Sequence, residues 1–206
     1  MEGTFMGKLY TGLDWFVKLT YLQLLYAGFI ILGLFFGGLF PATAALMATV
    51  RQWIRGRTDL PLFSTYRQYF RAYFVQANII GYIICFVSTS LVLYVYWFMQ
   101  IGGVWANILI YVTFLLLLFM VVITAYWIPV LVHFELKGFK VLKQAFWIAV
   151  IRPFHTIGLV VLVIVLFLWT RFMPGLLPIL NVSLLAFGWM WITHHAFEKF
   201  DVKADS

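Results

Sequence analysis

Charge is what this chain of 206 residues has least of: Asp, Glu, Lys and Arg make up 10% of it, against 65% hydrophobic residues, and its mean hydropathy is +1.00. A soluble domain is about half apolar and a quarter charged, so composition excludes a protein whose main solvent is water. The single cysteine, Cys85, excludes an internal disulfide. It lies in an apolar run, where a structural thiol is the default reading. No Ser/Gly/Pro-rich linker or low-complexity tract divides the sequence, which predicts one domain over residues 1–206. There is no Walker A pattern, dinucleotide fingerprint or HExxH motif, so an ATPase subunit and the usual zinc hydrolases are excluded. No enzyme motif, cofactor site or metal site is expected. The N-terminus carries Glu2 and Asp14 and has no small-residue cleavage pattern, so a removable signal peptide is not expected.

Acidic residues are missing where a coupled carrier would need them. Asp14, Asp59, Glu135 and Glu198 lie in loops or at span ends, whereas proton- and sodium-coupled carriers generally hold an ionisable group inside the membrane despite its cost. His133 and Glu135 are two residues apart and point to different helix faces, which favours an interfacial ion pair over a metal site. His194 and His195 sit at a span exit, where amphipathic rings are at home.

What the chain does have is long apolar runs. They predict an all-α membrane bundle of five transmembrane helices over residues 22–50, 76–99, 108–134, 155–172 and 176–197, with amphipathic interfacial helices between them. Residues 5–18 read as a short surface helix. In the first run, Gly37, Gly38 and Pro41 mark a helix break, because glycine loosens a helix and proline removes a donor. The preferred reading is a kinked span carried through to Val50; its rival is a re-entrant hairpin that returns to its starting side.

Between the first two runs lies a basic, aromatic stretch, Arg51 to Phe74, holding Arg51, Arg55, Arg57, Arg67 and Arg71. Phe63, Tyr66, Phe70, Tyr73 and Phe74 recur at three- and four-residue steps with Arg67, Gln68 and Arg71 facing away, which predicts an interfacial helix with its rings at headgroup depth. Lys137, Lys140, Lys143 and Arg152 form a second basic patch around another amphipathic segment. These nine residues are the candidate partner or lipid interface. The +7 net charge concentrated there argues for anionic lipid headgroups and against nucleic acid. Five spans place 11 of the 14 Lys and Arg on one side and 3 on the other, and the re-entrant alternative gives 13 and 1. Either way the positive-inside rule holds the basic loops and the C-terminus in the cytoplasm.

The two basic segments also echo each other. Phe63, Arg67, Gln68, Phe70 and Gly81 are spaced 4, 1, 2 and 11 apart, and Phe139, Lys143, Gln144, Phe146 and Gly158 are spaced 4, 1, 2 and 12 apart. Each set runs from an interfacial helix into a span, a pattern open to ancestry by duplication or to coincidence.

The run ending in GGLFPATAAL, followed by VRQWIRG and a Phe/Tyr/Arg segment, resembles the YesL-like bacterial membrane proteins most clearly over residues 20–80. The likeness continues more loosely through KQAFWIAVIRP. That family has no assigned catalytic residues. The resemblance implies a small integral protein of the Gram-positive cytoplasmic membrane, associated with oligosaccharide importers of the ABC type. The expected function is therefore a non-catalytic accessory subunit or assembly factor contacting the permease subunits. The alternative is a stand-alone small-solute transporter or channel built on Gln76, Asn78, Ser88, Asn107 and Asn181.

Overall fold

A computed structural model describes residues 5–134, 136, 138–172 and 182–193. The elements are α1 (Phe5–Leu32), α2 (Phe36–Ile54), α3 (Leu62–Ile101), α4 (Gly103–Phe134), α5 (Phe139–Ile151), α6 (Pro153–Phe172) and a short α7 (Val182–Thr193). No strand occurs among the described residues. Three helices, Gly7–Leu32 within α1, α3 and α4, are long and apolar enough to cross a membrane, and the bent pair α5–α6 makes a fourth if taken as one span. That falls short of the five expected crossings. Part of the last one, 176–197, lies outside the described residues.

The first apolar run is a helical hairpin, which overturns the kinked span. Gly33, Leu34 and Phe35 form the reversal, with the Phe35 N–H donating to the Ile30 carbonyl. From there α2 runs back along α1. Thr43 lies beside Tyr26, with hydroxyls 3.5 Å apart, and Trp53 meets Trp15 edge to face at 5.6 Å. Gly33 and Gly38 permit the close approach: a Cβ on Gly38 would lie 2.7 Å from the Ile30 carbonyl oxygen. The break thus falls at 33–35, while Gly37, Gly38 and Pro41 all lie inside unbroken α2. Pro41, the sixth residue of α2, withholds an N–H from the Gly37 carbonyl without breaking the helix. The sequence signal was real but marked the helix start after the turn. Leu34 and Phe35 carry φ of 55° and 61°, a region that bulky residues adopt only under constraint.

Helix α2 is the centre of the core. Its small residues Ala42, Ala44, Ala45 and Ala48 are fully or almost fully buried, as are Leu46 and Val50, so neighbouring backbones approach it on several sides. The expected interfacial helix of residues 63–74 and the following span are one unbroken 40-residue helix, α3. At 1.5 Å per residue it is about 60 Å long, twice the hydrocarbon thickness. Its aromatic face is turned in part onto α1: Tyr66 is buried, and Tyr66 and Phe70 pack their rings on Phe29 at 5.1 and 4.9 Å. Gly102 and Gly103, at φ of 67° and 88°, reverse the chain into α4.

Helix α5 folds back along α4, with Phe146 against Phe119 at 5.8 Å. The chain then turns by 96° into α6. Large apolar side chains such as Phe86, Tyr96, Trp105, Tyr111 and Leu118 are more than half exposed on the outer parts of α3 and α4. With no water-soluble counterpart for such a surface, these long apolar helices make this a membrane-embedded protein.

Candidate functional site

Polar chemistry in this bundle gathers where α2 and α3 meet the C-terminal end of α4. The last four carbonyls of a helix have no partner within it, and here two of them are met by Arg51. Its guanidinium donates to the Val132 carbonyl at 2.6 Å and to the His133 carbonyl at 2.9 Å. Arg51 is 8% exposed. A fixed cation at a helix C-terminus also lies with the helix dipole. One turn of chain further on, Gln76 Nε2 of α3 donates to the Leu136 carbonyl at 2.6 Å. The arginine read from sequence as part of a surface patch is therefore an internal clamp joining α2 to α4.

The two mid-helix prolines follow the same logic. Proline has no N–H, so it strands the carbonyl four residues before it. Pro41 strands Gly37, and Asn78 Nδ2 of α3 donates to that oxygen at 2.9 Å. Pro129 strands Ala125, and Trp189 Nε1 of α7 donates to that oxygen at 2.9 Å. Inside a bilayer an unmet carbonyl costs several kcal/mol, so each proline fixes a neighbouring helix in register. Elsewhere in the core, Gln23 Oε1 of α1 accepts from the Ser183 N–H and from its hydroxyl, both at 3.0 Å.

These roles were missed from sequence, although a signal was there: the residue four before each proline names the acceptor. The donor helix, by contrast, is a matter of tertiary packing. Among the described residues Asn78 Oδ1, Gln52 Oε1 and Trp53 Nε1 are buried without a hydrogen-bond partner. No group of three or more His, Cys, Asp or Glu among them is placed to hold a metal.

The other candidate interface residues divide in two. Arg55 and Arg57 are exposed in the α2–α3 connection. Arg67 and Arg71 are exposed one turn apart on α3, where with Phe63, Ser64 and Gln68 they line a shallow groove of about 360 Å³. Lys18 of α1 reaches Asp14 at 2.8 Å and Asp59 at 4.0 Å, which places it beside the same connection. In the second patch Lys140 and Lys143 are exposed on α5 and Arg152 is half-buried at the α5–α6 elbow. Lys137, Glu135, His194, His195 and Asn181 lie outside the described residues. The hydroxyls of Ser88, Thr89 and Ser90 do not stitch α3 to a neighbour in any hydrogen bond described here: Ser90 returns its proton to the Phe86 carbonyl of its own helix at 2.8 Å.

A helical membrane protein whose long hairpins are pinned through backbone carbonyls is the class this geometry defines. Within it, residues 19–97 match a family described as a protein of unknown function, DUF624. The chain is similar to three uncharacterized proteins of Bacillus subtilis (strain 168). It is 27% identical to YteU over 199 residues, covering 94% of this chain and 87% of that protein. It is 33% identical to YesL over 124 residues, 60% of this chain and 57% of YesL, and 36% identical to YesV over 81 residues, 39% of each. The resemblance to the YesL-like proteins is thereby borne out. No solved structure matches it.

Proposed function

We propose that the protein is a non-catalytic accessory subunit or assembly factor of an oligosaccharide ABC importer in the bacterial cytoplasmic membrane, with its exposed arginines on the cytoplasmic side. The observation that carries this reading is how the polar groups divide. Those inside the bundle bind the protein's own backbone, as Arg51, Gln76 and Asn78 do, while Arg55, Arg57, Arg67 and Arg71 remain on an accessible face beside the α2–α3 connection. Gln76 and Asn78, two of the residues on which a solute path would depend, have their amides engaged in this way. A scaffold has this division of labour; a carrier keeps polar groups free to exchange partners.

The α1–α2 hairpin puts the N-terminal segment and the α2–α3 connection on one side. That arrangement is the one with 13 of the 14 Lys and Arg together, which the positive-inside rule assigns to the cytoplasm. The crossings in this reading are α3, α4, α6 and the segment ending in α7, with α1–α2 as a re-entrant pair. Co-purification in mild detergent tests the function. Permease subunits are expected to be retained by the wild-type chain and lost when Arg55, Arg57, Arg67 and Arg71 are all changed to Gln. A permease that assembles and transports unchanged in cells lacking this protein rules the reading out.

A further inference from the structure

Between α4 and α6, closed at one side by Ser88 of α3 and Trp189 of α7, runs an apolar cleft of about 520 Å³. A second groove of about 340 Å³ continues from it toward α5, ending at Ala149. Val122, Thr156 and Val160 line both, so the two adjoin and are taken together as a channel along α6. Its volume lies in the range of small-molecule sites, about 300–1,000 Å³.

The walls limit what can occupy it. A polar solute needs free donors or acceptors, yet two of the three lining hydroxyls are already used. Thr124 donates to the Met120 carbonyl at 2.7 Å, and Thr156 lies 3.0 Å from the Tyr126 hydroxyl. A partner helix needs small residues that let backbones approach, whereas this channel is walled by branched and long side chains such as Leu117, Met120, Val163 and Ile164. A hydrocarbon chain suits it, because a flexible apolar chain fills an irregular apolar cleft without asking for hydrogen bonds. Arg152 stands at the elbow end, one turn before Thr156, with its carbonyl 3.4 Å from the Thr156 hydroxyl, and Lys140 and Lys143 are exposed further back, toward the N-terminal end of α5. Basic groups beside an intramembrane cleft recognise anionic headgroups.

We propose that this channel is a binding site for an anionic phospholipid, with an acyl chain between α4 and α6 and the phosphate at the α5–α6 elbow. The inference stands independently of the importer reading. The test is native mass spectrometry of the protein released from nanodiscs of equal phosphatidylglycerol and phosphatidylcholine. The wild-type chain is expected to retain phosphatidylglycerol at least tenfold over phosphatidylcholine. Val160→Trp, which fills the channel from a half-exposed position on α6, is expected to abolish retention. Leu118→Trp does the same from α4 should the first variant fail to fold. Leu93→Trp, on an exposed stretch of α3 away from the channel, is expected to retain lipid as wild type does. The combination of Lys140→Gln, Lys143→Gln and Arg152→Gln is expected to erase the preference for phosphatidylglycerol. The proposal is overturned by a wild-type chain that carries no lipid, by equal retention in the channel-filling and Leu93→Trp variants, or by a preference that survives loss of the three cations.

Discussion

Replacing Arg51 by methionine is the sharpest probe of how this bundle is held together. The side chain keeps much of its apolar volume but loses both donors, leaving the Val132 and His133 carbonyls at the end of α4 without the guanidinium that meets them. A hydrogen bond to a charged group contributes about 1.5–3 kcal/mol, and an abandoned buried acceptor costs about 1–3 kcal/mol. Part of that cost is offset because a buried cation no longer needs to be desolvated. The expected loss is about 3–5 kcal/mol. For a chain of this length that is a fall of roughly 10 °C in the melting temperature, read by circular dichroism or by fluorescence-detected size exclusion after heating in mild detergent. Arg51→Lys keeps the charge but not the planar fork, so it is expected to lose about half as much. Arg55→Met, on the exposed connection, serves as control and is expected to change stability by no more than about 0.5 kcal/mol. If Arg51→Met melts with the Arg55→Met control, the clamp contributes nothing and the account of the α2–α4 junction fails.

Other perturbations follow from the same geometry. Gly38→Ala sets a methyl against the Ile30 and Phe29 carbonyl oxygens at 2.7 and 2.8 Å, so it is expected to destabilise the hairpin by about 1–3 kcal/mol; an unchanged melting temperature contradicts the tight reversal. Leu34→Gly relieves a positive φ and is expected to raise stability by roughly 1 kcal/mol, a gain that thermal melts would show. Trp189→Phe removes the donor to the Ala125 carbonyl and is expected to cost about 1–2 kcal/mol. The same substitution paired with Pro129→Ala, which returns an N–H to that carbonyl, is expected to cost less. In a Cys85→Ser background, thiols introduced at Lys8 and Arg55 are expected to label from the same side of the membrane. Labelling from opposite sides restores the kinked span.

Helix content, the amphipathic faces and the apolar stretches of α3 and α4 were legible because they depend on composition and on a 3.6-residue period. The direction of the chain at the end of the first run was not. Gly37, Gly38 and Pro41 announced a disturbance, but a kink and a reversal differ only in the backbone of Leu34 and Phe35, two residues whose type predicts neither outcome. Arg51 was misassigned for a related reason. It shares a five-residue window with Arg55, and sequence proximity groups them, yet Arg51 is still inside α2 and turned toward α4 while Arg55 lies just beyond the helix end. The aromatic face of residues 63–74 has the pattern of a bilayer-surface helix, and a helix packing on Phe29 satisfies the same pattern. Periodicity states that a face is buried; the burying surface is a property of the rest of the chain.

The two echoing segments show how one residue redirects such a face. In α3 the eleven-residue step from Phe70 to Gly81 is continuous helix, and Gly81 admits the ring of Phe40, whose atoms would lie 2.5 Å from a Cβ there. In the second segment the step from Phe146 to Gly158 is twelve residues and contains Arg152, which sits between α5 and α6 at φ −122° and ψ 60°. Pro153 enforces that interruption, because its ring disfavours a helical conformation in the residue before it and it brings no N–H to continue the ladder. The first segment therefore stays a rod that carries Arg67 and Arg71 well beyond the apolar stretch, whereas the second folds at 96° and lays α5 back on α4. Similar sequences thus give a projecting basic face in one half of the protein and a basic elbow over an apolar channel in the other.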